Sequence, residues 1–119
     1  MSIKIEPWLQ PYDQRIYNGD GAWVIGNLIM QAEHLPIQEM PLEHLNILDL
    51  TLSGSTMRDI VMHTKAILDA DLNYPIILGE DGDVLDGRHR IAKALLEEKD
   101  TIKFVRFVKN PTPDYYVTE

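Results

Sequence analysis

Cysteine is absent from this chain of 119 residues, so disulfide bonds and thiol chemistry are excluded. Basic side chains are scarce: 11 lysines and arginines stand against 19 aspartates and glutamates, and the net charge of −8 disfavours direct binding to nucleic acid. The apolar runs are far shorter than the roughly 20 residues that span a bilayer, and the N-terminus lacks the apolar core of a signal peptide. We therefore expect a cytoplasmic protein that does not enter a membrane.

The composition is that of an ordinary ordered domain. Apolar residues make up 45% of the chain and charged residues 25%, and the length fits one compact domain over residues 1–119. The charge is uneven, because residues 88–109 carry seven basic and three acidic side chains while residues 1–87 carry four and 14. A basic island on an acidic protein suits a small anion better than a duplex, although an unevenly charged solvated surface has the same pattern.

The spacing of apolar residues predicts the secondary structure of the central part. Ser53-Gly54-Ser55-Thr56 has the composition of a loop that ends in an N-cap, and the apolar residues after it predict a helix of about 14 residues. The other predicted elements are strands at 38–42, 74–78, 83–86 and 102–108, a turn at 80–83, and a helix over 88–98. This order predicts an α+β fold with a small mixed sheet and two or three helices.

The two ends of the chain have weaker patterns. Residues 1–22 look loosely structured, with a tight turn predicted at Asn18-Gly19-Asp20-Gly21. Residues 22–31 fit either a strand interrupted at Gly26 or a short helix. The tail at 109–119 is predicted to be an extended arm, which is more often a packing strap or a partner contact than a site.

The segment Asp86-Gly87-Arg88-His89-Arg90 carries the strongest chemical signal. It lies where a strand meets the start of a helix, and unpaired amides and the helix dipole favour an anion there. Gly87 permits close backbone approach, and the three cationic or donor side chains fan by about 100° each, so we expect two of the three to converge. A solvated helix start with Arg88 paired to Asp86 or Glu80 is the alternative.

The run YPIILGEDGDVLDGRHRIAKALLEEKDTIKFVRF resembles the core of the ParB/sulfiredoxin-like superfamily. In that family a helix leads to a P-I-hydrophobic strand, an acidic-Gly turn, a second strand and a G-x-x-R signature that opens a helix. The resemblance covers residues 39–108. It implies a stand-alone core of that fold, with an N-terminal extension at 1–38 and a C-terminal arm at 109–119.

The resemblance implies roles for individual residues of the signature. In sulfiredoxin the pattern is G-C-H-R, so Gly87, His89 and Arg90 match its glycine and its two ATP-phosphate ligands. Arg88 replaces the catalytic cysteine, which excludes sulfinic-acid repair. In ParB proper the pattern G-E-R-R lines a CTP site, and only its final arginine matches. Free-serine kinases of this fold resemble D-G-H-H-R, which makes Asp86 a candidate for metal or hydroxyl contact and implies ATP or CTP with Mg²⁺.

Three residues upstream complete the candidate binding set. Ser55 and Thr56 have hydroxyls that suit a phosphate, and Arg58 loosely matches an arginine of ParB-like proteins. The alternatives are helix capping for the two hydroxyls and a surface pairing with Asp59 for the arginine. The remaining histidines, His34, His44 and His63, lack a metal-ligand spacing, so we expect no metal site built from them.

These observations lead to two hypotheses and leave open whether the protein is an enzyme. The first is a domain that binds a nucleotide or phosphate-containing ligand through Gly87, Arg88, His89, Arg90, Ser55, Thr56 and Arg58, with hydrolysis or phosphoryl transfer assigned to Asp86 and His89. The second is a non-catalytic module of the same fold that binds a protein partner or a second copy. At histidine's ordinary pKa near 6.5, His89 is expected to donate a ring N–H to the anion, so binding should tighten as the pH falls from about 8 to about 6.

Overall fold

The computed structural model describes residues 2–47 and 50–117. Its helices within these ranges are α1 (Ile25–Ala32), α2 (Met57–Asp69) and α3 (Arg88–Leu96). Its strands there are β1 (Arg15–Asn18), β2 (Gly21–Val24), β3 (Gln38–Pro41), β4 (Ile76–Leu78), β5 (Val84–Asp86), β6 (Thr101–Arg106) and β7 (Tyr115–Tyr116). The α+β class predicted from the sequence is confirmed. In this part of the chain no helix is long and apolar enough to cross a membrane.

A four-stranded mixed sheet in the order β3-β6-β4-β5 forms the centre of the fold. Strand β4 runs parallel to β6 and antiparallel to β5, so the hairpin predicted at residues 74–86 is present. All three residues of β4 are buried because both faces of the sheet are covered. Ile76 belongs to one apolar cluster and Ile77 to another, as the two-residue period of a strand requires.

The residues before position 38 cover one face of this sheet. Trp23, Ile25 and Leu28 join Ile77 in one apolar cluster, so the N-terminal extension is part of the core. The prediction that residues 1–22 are loosely structured is wrong for β1, which pairs with β2 through the predicted turn. The turn residues scattered through this segment hid the pattern of strand β1, which is defined by its pairing with β2.

The segment 22–31 contains both of the structures that its sequence allowed. Strand β2 ends at Val24 and helix α1 begins at Ile25, so Gly26 does not interrupt a strand. A side chain at Gly26 would meet the ring of Tyr12, with a Cβ only 2.6 Å from the ring carbon Cδ1. The glycine therefore lets the 3₁₀ turn at Pro11–Asp13 pack directly on α1.

The C-terminal arm is a packing strap. Strand β7 pairs with β2, which completes a three-stranded antiparallel sheet in the order β1-β2-β7. The Asp114 carboxylate accepts a hydrogen bond from the backbone N–H of Val24 at 2.6 Å and another from Asn27 Nδ2 at 3.0 Å. Val24 is the N-cap residue of α1 and has no capping side chain of its own, so a distant carboxylate satisfies this helix start.

Helices α2 and α3 pack together beside the sheet and frame the candidate site. Thr56 and Asp59 form a capping box at the start of α2, and hydrogen bonds from Thr56 hold the pKa of the Asp59 carboxyl below its usual value. At the other end, Lys93 Nζ donates to the carbonyl oxygens of Leu68 at 2.9 Å and Ala70 at 2.6 Å. This lysine ties α3 to the end of α2 and supplies charge that suits a helix C-terminus.

Candidate functional site at the start of helix α3

Gly87 connects β5 to α3 in a conformation that only glycine adopts without strain. Its φ of +114° lies in the left-handed region. A Cβ at this position would lie 2.5 Å from Cγ2 of Ile76, which is fully buried and cannot move aside. The first turn of α3 has no side-chain cap, and the amides of Arg88, His89 and Arg90 have no partner within the helix. The helix therefore begins with unpaired donors beside a tightly packed turn.

Arg90, and not Arg88, pairs with Asp86. Arg90 Nη2 lies 2.8 Å from Asp86 Oδ2, and Arg90 Nη1 donates to the carbonyl oxygen of Pro75 at 2.7 Å. Asp86 ends β5 and Arg90 lies in the first turn of α3, so this ion pair bridges the turn at Gly87. The alternative that paired Arg88 with Asp86 or Glu80 is thus wrong, since Arg88 Nη1 donates to the carbonyl oxygen of Val84 at 3.3 Å.

The structure brings His89 against a histidine that sequence spacing dismissed. His63 of α2 is buried, and its Nδ1 lies 2.8 Å from His89 Nε2. The other ring nitrogen of His63, Nε2, lies 2.6 Å from the carbonyl oxygen of Ser53. The ring of Trp8 packs against both histidines, with its centroid 4.3 Å from that of His63 and 5.3 Å from that of His89.

The contact with His63 changes what His89 can do. Burial, the nearby His63 and the positive charge of Arg90 lower the pKa of His89 to about 4. His89 of the free protein is therefore neutral between pH 6 and 8, so the ordinary pKa near 6.5 from which the expected pH dependence of anion binding started does not hold there. Its Nε2 is also occupied by His63, so it is not available to an anion.

Two clefts of different character meet at the Gly87 turn. The larger cleft has a volume of about 720 Å³ and the smaller one about 290 Å³. Both clefts are lined by Gln14, Ile25, Asp86, Gly87 and His89. Arg90 lines only the larger cleft and Arg88 only the smaller of these two. Each cleft is therefore lined by His89 and by one of the two arginines that flank it in the sequence.

The walls of the two clefts differ in charge. The larger cleft has apolar walls that include Ile29, Leu35, Ile37 and Tyr74. Of the described residues that line the smaller cleft, Arg15 and Arg88 are basic and Asp86 is the one acidic residue. Arg15 Nη1 donates to the carbonyl oxygens of Tyr12 at 2.8 Å and Gln14 at 3.1 Å, which holds this guanidinium near the cleft. The smaller cleft is thus the more favourable of the two for an anion.

The upstream candidates lie outside both clefts. Ser55, Thr56 and Arg58 do not line either of them, whereas Thr51, Leu52 and Ser53 line the smaller one. Thr56 Oγ1 accepts from the backbone N–H of Asp59 at 3.1 Å, which is the capping role that the sequence offered as the alternative. Arg58 lies at the protein surface 3.3 Å from Glu6, so its partner is not the Asp59 that the sequence suggested.

Among residues 2–47 and 50–117, no group of three or more His, Cys, Asp or Glu side chains could hold a metal ion. Comparison with protein-family models, curated proteins and solved structures gives no match. The resemblance to the ParB/sulfiredoxin-like superfamily accordingly stays a prediction from the motif residues of the sequence.

Proposed function

We propose that this protein binds a phosphate-containing small molecule, with a nucleotide as the best-fitting class, at the start of α3. The observation that carries the proposal is the meeting of a basic cleft and an apolar cleft at one turn, Asp86-Gly87 with His89. The phosphate would occupy the smaller cleft and the base the larger one. Ligand sites are commonly clefts of about 300 to 1,000 Å³ with apolar walls and a few placed polar groups.

The electrostatics of the smaller cleft support the phosphate end of this proposal. Arg15 and Arg88 contribute two guanidinium groups, whose planar donors match phosphate oxygens. The unpaired amides at the start of α3 and the positive end of its dipole favour negative charge at the same place. In contrast, the cationic side chain of the larger cleft, Arg90, is neutralised by Asp86.

ATP or CTP with Mg²⁺ is the form in which a nucleoside triphosphate would bind. Magnesium in such sites is held largely by phosphate oxygens and one or two carboxylates, so the absence of a protein cage among the described residues is compatible with it. Asp86 Oδ1 is the carboxylate oxygen at this turn that Arg90 does not engage. If hydrolysis or phosphoryl transfer follows binding, Asp86 and His89 are the groups positioned to act on the ligand.

Calorimetric titration with ATP, CTP and GTP, each with and without Mg²⁺, tests the proposal. We expect at least one of them to bind with a dissociation constant below 1 mM. Arg88→Gln should weaken that binding by about tenfold or more, because a charge-assisted hydrogen bond contributes about 1.5 to 3 kcal/mol. Lys99→Gln removes the same charge outside both clefts and should change the affinity by less than about twofold. The absence of binding below millimolar concentration for all three nucleotides would contradict the proposal.

Exposed apolar side chains on α2 favour the second candidate, a module that binds a protein partner or a second copy. Met57, Ile60 and Leu68 are 74%, 53% and 59% exposed, and their spacing places them along one face of the helix. Analytical ultracentrifugation of wild type and Ile60→Lys distinguishes this candidate. Self-association that the substitution abolishes, in a protein that binds none of the three nucleotides, would favour the interaction module over the nucleotide site.

A further inference from the structure

We infer that His63 is a positioning residue that fixes His89 in the tautomer with an unprotonated Nδ1, so that the site accepts a hydroxyl group of its ligand at this atom. The inference rests on the proposed function, because it names the second chemical group that a bound phosphate ester would present. The ligand class becomes a phosphorylated molecule that also carries a sugar hydroxyl.

A chain of three hydrogen-bonding groups determines the tautomer. A carbonyl oxygen can only accept, so the contact of 2.6 Å between His63 Nε2 and the Ser53 oxygen places the proton of neutral His63 on Nε2. His63 Nδ1 is then unprotonated and accepts from His89. The contact of 2.8 Å between these rings therefore places the proton of neutral His89 on Nε2, and its Nδ1 carries a lone pair.

The lone pair on His89 Nδ1 is open to a ligand. This atom makes no hydrogen bond within residues 2–47 and 50–117, and no fully buried polar side-chain atom in those ranges lacks a partner, so Nδ1 is not fully buried. The three other ring nitrogens and ring faces of the pair are less available. Both nitrogens of His63 and Nε2 of His89 are engaged, and Trp8 packs against both rings, tilted against His63 and edge-on to His89.

The groups around His89 keep it neutral and therefore an acceptor. Partial burial and the positive charge of Arg90 on the same helix both oppose a second proton on the ring. The Asp86 carboxylate at the end of β5 is paired with Arg90, and Arg88 Nη1 donates to the carbonyl oxygen of Val84. The Trp8 ring and the Ser53 carbonyl group, which approach from the other side, carry no net charge.

A hydrogen-bond acceptor at His89 Nδ1 favours some groups of a ligand over others. Phosphate oxygens also accept, so they are disfavoured beside Nδ1 and favoured beside Arg15 and Arg88 in the smaller cleft. A hydroxyl group of the ligand can donate to Nδ1 of His89, a residue that lines both clefts. A ribonucleotide presents both groups, with its sugar hydroxyls a short distance from its phosphates.

The tautomer can be read without any ligand. In two-bond ¹H–¹⁵N correlation spectra of the wild-type protein at pH 7.5, His89 and His63 should both show a protonated Nε2 and an unprotonated Nδ1. His63→Asn keeps an acceptor oxygen near the place of Nδ1 and should preserve the His89 pattern. His63→Phe removes the acceptor and should give His89 a mixture of tautomers. A protonated Nδ1 on His89 in the wild-type spectrum would overturn the inference, whether or not the variants fold.

A pair of nucleotides tests the ligand class. ATP should bind at least about fivefold more tightly than 2′,3′-dideoxy-ATP, because a ligand without the hydroxyls leaves Nδ1 without a partner at a cost of about 1 to 3 kcal/mol. The preference should disappear in His89→Phe. Equal affinity of the wild-type protein for the two nucleotides would overturn the hydroxyl assignment. Failure of ATP to bind at all would overturn the proposed function, and the spectra would still decide the role of His63.

Discussion

Helices α2 and α3 lie side by side, but they begin in opposite ways. The start of α2 is satisfied by its own sequence, because Thr56 and Asp59 cap the helix reciprocally. The start of α3 has a left-handed glycine and no capping side chain, and two clefts open beside it. A helix start that satisfies its own donors has little left to offer an anion, whereas an uncapped one retains its amides for a ligand.

The largest expected effect comes from the glycine that keeps the start of α3 open. Gly87→Ala should lower the free energy of unfolding by about 2 to 4 kcal/mol, since it combines left-handed strain with a Cβ driven against Ile76. Gly82→Ala is the matched control, because Gly82 also has a positive φ but has no atom within 4 Å of the added Cβ. It should cost only about 1 kcal/mol. Equal losses of the free energy of unfolding for the two variants in urea denaturation would show that the contact with Ile76 adds nothing to the cost.

The ion pair at α3 should contribute more than the ion pair at α2. Asp86→Ala leaves the Arg90 guanidinium, which is only 19% exposed, without its carboxylate and should cost about 1 to 3 kcal/mol. Glu6→Ala removes the partner of Arg58, where the side chains are 60% and 80% exposed, and should cost less than about 0.5 kcal/mol. Urea denaturation of both variants measures the difference, and a larger loss for Glu6→Ala would contradict the comparison.

The lowered pKa of His89 makes the free energy of unfolding depend on pH. A histidine whose folded pKa is about 4, against about 6.5 when unfolded, binds its proton more readily in the unfolded chain. Its contribution to stability is therefore complete above pH 6.5 and is lost as the pH falls from 6.5 to 4, by about 1 to 2 kcal/mol after allowance for solvent screening. NMR titration of His89, with denaturation of wild type and His89→Phe at pH 7.5 and 4.5, checks this. A midpoint near 6.5 would contradict it.

The smallest expected effect is the loss of the cap on α2. Thr56→Ala should lower the free energy of unfolding by about 1 kcal/mol, because the hydroxyl accepts from the Asp59 amide. Nucleotide affinity should be unchanged, since Thr56 lines neither cleft. Ser55→Ala serves as the neighbouring control and should have almost no effect on stability. A tenfold loss of nucleotide affinity in either variant would show that this loop belongs to the binding site.

The same comparison indicates how far local sequence signals reach. The cap at Thr56, the hairpin before Asp86 and the turn at Gly87 each depend on a few neighbouring residues, and all were predictable. The pairing of Asp86 with Arg90 crosses the left-handed turn at Gly87, so a helical spacing rule did not indicate it. Contacts that join distant segments left no local signal.

Two such contacts matter most for the candidate site and the fold. His63 and His89 are 26 positions apart and meet only because α2 packs against α3. Asp114 satisfies the start of α1 from 90 positions beyond Val24, and its segment showed only the composition of an extended arm. His63 lies three and four positions before Ala66 and Ile67 and so shares a face of α2 with them, which hinted at a buried polar contact. The spacing did not indicate its partner.

The most direct test of the difference between the two helix starts is a titration of ¹⁵N-labelled protein with ATP and Mg²⁺, followed by amide chemical shifts. We expect the largest chemical-shift changes at Arg88, His89 and Arg90, whose amides are unpaired within α3, and small changes at Met57, Arg58 and Asp59. Chemical-shift changes that saturate at the start of α2, with none at the start of α3, would contradict an anion site at α3 and place the ligand at α2.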